Sequence, residues 1–171
     1  MHSIIKSTVH DAAELAKVGR QSFIESHGHS ASEEDITAYV NSKFSFLAFE
    51  EELKNPNYIY HHVVFEGQMI GYSKVVFNCE SENVAQENIT KLERLYLLQE
   101  FHSLKLGKAL LEYNIQLAKQ NHQKGMWLYV WKENTRALNF YLKYGFEIIG
   151  EYNFKISENH SNPNHQLLLI Y

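Results

Sequence analysis

Between residues 88 and 156 the hydrophobic pattern switches back and forth between the two-residue period of a strand and the 3.6-residue period of a helix, which restricts the fold more than any other feature. Asn88 to Leu98 reads as a strand, and Leu106, Ala109, Leu110, Tyr113, Leu117 and Ala118 then recur at helical spacing. Lys119, His122 and Lys124 with Gly125 read as the end of that helix. MWLYVW (126–131) is a strand, Thr135 to Tyr144 a helix closed by Gly145, and Phe146 to Ile156 a further strand. A strand, a helix and a second strand in succession imply a crossover and parallel pairing. Both helices are therefore expected to be crossovers, with a ligand at the carboxyl ends of the strands they join.

The flanking segments complete one α/β domain over residues 1–171. Ser3 to Ser7 is a short strand, and Thr8 and Asp11 have capping-box spacing before a helix from His10 to Glu25. HGHSAS breaks it, and Ser32, followed by Glu33, Glu34 and Asp35, opens a second helix to Phe44. Phe46 to Lys54 forms a third, and Asn57 to Phe65 and Gln68 to Phe77 form a hairpin turned at Glu66-Gly67. The last strand, Gln166 to Tyr171, is apolar enough to pair with another edge, which would make a homodimer.

Charge and cysteine usage narrow the function class. The net charge of −4 argues against a nucleic-acid partner and suits a cationic one. The acids Glu25, Glu33, Glu34, Asp35, Glu50, Glu51 and Glu52 crowd the helices of the first third, where the bland reading is a solvated face. Cys79 stands alone, so no internal disulfide forms, and no apolar run is long enough to span a membrane. With no signal-peptide pattern at the start, a cytoplasmic location is the expectation.

LERLYLLQEFHSLKLGKALLEYNIQLAK followed by WLYVWKENTRALNFYLKYGF resembles the acetyl-CoA-binding half of the GNAT N-acetyltransferases. The resemblance implies a mixed, mostly antiparallel sheet of six to seven strands flanked by helices, with a splayed central parallel pair. It also implies acetyl-CoA as co-substrate, no metal, and an amine acceptor. The family's pyrophosphate loop, Gln/Arg-x-x-Gly-x-Gly/Ala, corresponds to His102-Ser103-Leu104-Lys105-Leu106-Gly107, with Lys108 next; only the last Gly is kept. Free amides at a helix N-terminus still suit a pyrophosphate, and Lys105 fits if its φ is negative. Upstream, the main chain of Leu95, Tyr96 and Leu97 is expected to bind the peptide-like pantetheine arm. By resemblance, an N–H near Leu97 also polarises the thioester carbonyl.

The second motif, Asn134-x-x-Ala137-x-x-Phe140-Tyr141-x-x-x-Gly145-Phe146, matches the family without departure. Asn134, Leu138 and Tyr141 share one helical face, and Tyr141 is the candidate general acid for the departing thiolate. Packing alone, as for Phe140, is the bland alternative, and Tyr144 is the weaker phenol. An amine with pKa near 10.4 is neutral in only about one molecule in 2,500 at pH 7, so a base is expected. Glu93 is the first candidate, although its alternation with Leu92 also fits a solvated face, and Glu133 is the second.

His27, His29, His61 and His62 invite a metal, but no cysteine or carboxylate cluster completes a ligand set. Within the family, WLYVWKENTRALNFYLKYGFEIIGEYNFKISE is most similar to bacterial spermidine/spermine N-acetyltransferases, which makes a polyamine the expected acceptor. In such folds the region from Phe23 to Lys54 walls the acceptor site. A protein or peptide N-terminus is the alternative acceptor, and a CoA-binding module without turnover the alternative class.

Overall fold

The computed structural model describes residues 1–171. In chain order it contains β1 (His2–Lys6), a 3-10 turn, α1 (Ala12–His27), α2 (Glu33–Lys43), α3 (Phe46–Lys54), β2 (Ile59–Phe65), β3 (Gln68–Val76) and β4 (Ile89–Leu97). A second 3-10 turn (Gln99–Leu104) precedes α4 (Leu106–Gln120), β5 (Gly125–Trp131), α5 (Thr135–Tyr144), β6 (Glu147–Lys155) and β7 (Ser161–Ile170). Side-chain caps fix several starts: the Thr8–Asp11 capping box forms, Ser32 Oγ accepts from the Asp35 N–H at 3.1 Å, and Asn134 Oδ1 accepts from the Ala137 N–H at 3.2 Å. Gly145 ends α5 at φ 118°, a left-handed conformation that glycine adopts without a Cβ clash.

The strands form one sheet in the order β1-β2-β3-β4-β5-β7-β6. Every neighbouring pair is antiparallel except β4 and β5, which run parallel. Helices α1 to α3 cover one face through Leu15, Phe23, Phe44 and Phe49, packed with Tyr60 and Tyr72 of the sheet. On the other face Leu111 and Ile115 of α4 and Tyr141 of α5 pack with Met126, Leu128 and Val130 of β5. No helix is long and apolar enough to cross a membrane.

Two features of β4 open the sheet. Its ladder with β5 covers only Ile89–Lys91 against Gly125–Trp127, beyond which the strands are no longer paired. On its other side Lys74 lies opposite Arg94 but Val75 opposite Leu92, so Glu93 is the extra residue of a bulge. The bulge breaks the alternation: Glu93 and Arg94 both reach the α1–α3 face, through Lys74 and Glu52 respectively.

The structure corrects the sequence reading at four points. Only α4 connects a hydrogen-bonded parallel pair; after α5 the chain reaches β6, and β7 inserts between β5 and β6. Helical periodicity reports the crossover and not which strand fills the gap. Because β7 is interior, its edges are both occupied and the free edges belong to β1 and β6, so the argument for pairing through the last strand does not hold. β7 also begins earlier than its apolar run, at Ser161, because β6 and β5 supply partners to the polar segment SNPN, with Asn164 opposite Trp131. Gly125 is the first residue of β5 rather than the stop of α4, which ends at Gln120. An added Cβ there would lie 2.5 Å from the Leu169 carbonyl oxygen, so the close approach of β7 and not a helix cap requires glycine.

Candidate active site

Where β4 and β5 part, a cavity of about 680 Å³ enters the sheet at their carboxyl ends. It brings together Glu93, Leu95, Tyr96, Leu97, His102, Lys105, Gly107, Lys108, Glu133, Asn134 and Tyr141 from the residues singled out in the sequence. Three residues of the expected pyrophosphate loop stay out of its lining. Ser103 and Leu104 are exposed, and Leu106 is buried against Leu97 and Leu110, as the first apolar position of an amphipathic helix must be.

The N-terminus of α4 faces the cavity without a side-chain cap, in contrast to α2 and α5. Lys105, its N-cap, adopts φ 60° and ψ 15°, contrary to the expectation of a negative φ. The chain must reverse from the 3-10 turn into α4 at this residue, and a left-handed residue makes that junction; for a Lys the conformation costs roughly 1–2 kcal/mol. At Gly107 an added Cβ would meet only Leu97 Cδ1, at 3.8 Å, so the backbone stands open on the cavity side. Lys105, Lys108 and Arg136 bring cationic side chains to the cavity lining, Arg136 from the first turn of α5. The sequence reading passed over Arg136 although it lies inside the second motif.

His102, which replaces the family's Gln or Arg, places Nε2 2.9 Å from the Leu97 carbonyl oxygen. A carbonyl can only accept, so Nε2 carries the proton and His102 anchors the end of β4.

Tyr141 is buried, and its ring packs edge-on against Phe140 and Phe146 with centroids 5.1 and 5.4 Å away. Packing and cavity lining thus coexist in one residue. Burial, with Tyr96 adding, raises the Tyr141 pKa, so the phenol keeps its proton at neutral pH. Asn134, the N-cap of this helix, and Ala137, Phe140 and Tyr141 within it meet the cavity, whereas Leu138, expected on the same face, does not line it.

Glu93 lines the cavity but is not a free carboxylate. Its Oε2 lies 3.1 Å from Lys74 Nζ, which is buried and also 2.9 Å from Glu52. Glu52 in turn meets the Arg94 guanidinium at 3.5 Å and accepts a hydrogen bond from Tyr60. Burial alone would raise the Glu52 pKa, but Arg94, Tyr60 and Lys74 together hold it below the ordinary carboxylate range.

The end of the cavity toward α1 and α2 is aromatic. Phe23, Tyr39, Phe44, Tyr96, Trp131 and Phe154 line it, and of the acids clustered in the first third of the chain only Glu25 does so. Glu33, Glu34 and Asp35 instead occupy the first turn of α2, outside the lining. His27 stacks on Phe23 at 4.8 Å and on Trp131 at 5.6 Å; desolvation among these rings, with His29 nearby, pushes its pKa down to about 4. Asn162 and Asn164 of β7 complete the wall. Their polar, proline-containing segment resembles a turn in sequence, and only strand pairing gives it an alternating face.

A family model described as the acetyltransferase (GNAT) family matches residues 20–146. A spermidine N(1)-acetyltransferase of Thermoplasma acidophilum is 28% identical over 85% of this chain and 88% of its own length. An uncharacterized N-acetyltransferase of Lactobacillus delbrueckii subsp. lactis is 24% identical over 91% of this chain and 90% of its own. Among solved structures, the PaiA N-acetyltransferase of Thermoplasma acidophilum in complex with coenzyme A shares the fold, with a TM-score of 0.79 at 23% identity, covering 100% of this chain and 99% of that one.

Proposed function

The chain belongs to the GNAT acetyltransferase family, and from that premise we propose that it moves an acetyl group from acetyl-CoA to a primary amine, with a polyamine as the acceptor class. The observation that carries the reading is the splayed β4–β5 pair, which opens a cavity with Tyr141 in its wall and an uncapped helix N-terminus at its rim.

The residues fit acetyl-CoA on their own chemistry. First-turn amides of α4, the open backbone at Gly107 and the side chains of Lys105, Lys108 and Arg136 suit a diphosphate. The edge of β4 beyond Lys91, which has no β5 partner, offers main-chain groups at Leu95, Tyr96 and Leu97 to a peptide-like arm. Bound there, acetyl-CoA supplies the activated acetyl thioester.

In this reading Tyr141 donates its phenolic proton to the departing sulfur, a role that suits a phenol kept protonated by burial. Glu93 takes the proton released by the amine, directly or through water, with Glu133 as the alternative carboxylate in the same wall. An amine enters from the aromatic end, where ring faces attract cations. The polyamine assignment draws on the resemblance to the Thermoplasma spermidine N(1)-acetyltransferase and on this wall; a peptide N-terminus is the competing acceptor.

Release of free thiol from acetyl-CoA, followed with spermidine, simple alkylamines and short peptides, tests the proposal. Release with spermidine above the rate of hydrolysis supports it. Release with peptides alone replaces the acceptor, and no release with any amine leaves a CoA-binding module.

A further inference from the structure

Asn162, Asn164 and Gln166 form a ladder of amides on one face of β7, and its middle rung is unlike the other two. Asn162 donates from Nδ2 to Ser30 Oγ at 2.8 Å and accepts from His160 Nε2 at 2.9 Å. Gln166 accepts from Asn83 at 2.7 Å and donates to Ser81 at 2.7 Å. Asn164 is only 6% exposed, lines the cavity, and its Oδ1 has no hydrogen-bond partner in the chain. Buried amide oxygens are almost always bonded, and this one, enclosed as it stands, meets a donor from the cavity when the Asn164 amide turns toward it.

The surroundings restrict that donor. Asn164 lies opposite Trp131 in the β5–β7 ladder, and Trp131, Phe154 and Tyr39 all line the same cavity. Ring faces favour a cation. Ser30 accepts from Asn162 through its hydroxyl and from His160 through its carbonyl, which pins the loop after α1 to the start of β7 and fixes this wall before any substrate arrives.

We infer that Asn164 is a specificity residue of the acceptor site: its Oδ1 takes a hydrogen bond from a second, non-reacting nitrogen of the substrate, which selects di- and polyamines over monoamines. The inference rests on the polyamine reading above and adds the group that enforces it.

The test is the ratio of kcat/KM for spermidine to kcat/KM for butylamine, measured in the full chain and in Asn164→Leu and Asn164→Asp. The unmodified protein should prefer spermidine. Asn164→Leu should lower the ratio about ten-fold, the worth of one hydrogen bond to a charged donor. Asn164→Asp should raise it, since a carboxylate would face an ammonium. A merely structural Asn164 would depress both amines in proportion, and an unchanged ratio in both variants overturns the inference. If Asn164→Leu does not fold, Asn164→Asp decides alone, and a ratio that stays level or falls counts against the role. Equal use of both amines by the unmodified protein also removes the inference while leaving acetyl transfer standing, whereas no thiol release from any amine removes the acetyltransferase reading itself.

Discussion

Lys74 Nζ lies 3.1 Å from the Glu93 carboxylate, at the β4 bulge. Had β4 continued its alternation, Glu93 and Arg94 would point to opposite faces; the extra residue turns both toward the α1–α3 side. If Glu93 takes the amine proton, Glu93→Gln should cut kcat/KM at pH 7 by roughly 10² to 10⁴-fold. The loss should shrink as the pH rises and more of the amine is already neutral. A deficit that stays constant between pH 7 and pH 10 would remove Glu93 as the base.

Glu52 ties two buried cations, Lys74 and Arg94, into one network. Glu52→Ala leaves both without it, and removing one partner of a buried pair is strongly destabilising. Since Glu52 itself retains some solvent contact, a loss of about 2–3 kcal/mol in urea unfolding is expected. A change below about 0.5 kcal/mol would mean that the network does not support the fold.

Tyr141→Phe removes the proton donor while keeping the ring contacts with Phe140 and Phe146. A fall in kcat of roughly 10 to 10³-fold is expected, with acetyl-CoA affinity by calorimetry little changed. An unaltered kcat would leave the residue with packing alone.

Lys105→Gly should act in opposite directions on stability and binding. Relief of the left-handed conformation, less the extra chain entropy of glycine, predicts a gain of about 0.5–1 kcal/mol. Loss of an ammonium at the cavity rim predicts acetyl-CoA binding weaker by roughly two- to five-fold, an effect that fades as salt is raised. Chemical denaturation and titration at two ionic strengths read both.

His27 and His61 are held neutral by burial, each with its pKa pushed down to about 4. In the unfolded chain both titrate near 6.5, so their neutral forms cost nothing above that pH. As the pH falls from about 6.5 to about 4 the unfolded chain takes up protons first, and stability drops. The slope is at most about 1.4 kcal/mol per pH unit for each ring, less where solvent reaches it. His61→Leu should flatten the decline between pH 7 and pH 5, and an identical slope in that variant would show that His61 does not drive it.

Helix positions were readable because their signals are local. Ser32 caps α2, and α5 spans Thr135 to Tyr144 with Gly145 after it, as periodicity and end residues indicate. The motifs at Gly107 and Tyr141 were readable for the same reason, each within its own helix, and the parting of β4 and β5 brings the two helices to one cavity. What sequence determined by itself was therefore the set of elements, the parallel crossover through α4 and the cleft that follows from it.

Tertiary structure decided the rest, because it depends on partners distant in the chain. That Glu93 meets a buried Lys74 instead of solvent, and that Arg94 shares its side of the sheet, depend on β3 and on a bulge against it, which no local pattern announces. That β7 lies between β5 and β6, turning Ser161–Asn164 from an apparent turn into a cavity wall, follows from hydrogen bonds to strands formed earlier in the chain. Left-handed Lys105 answers to the junction it must make and overrides its own preference. Local free energies fix which elements form; only the closing of the sheet selects which of their side chains share a site.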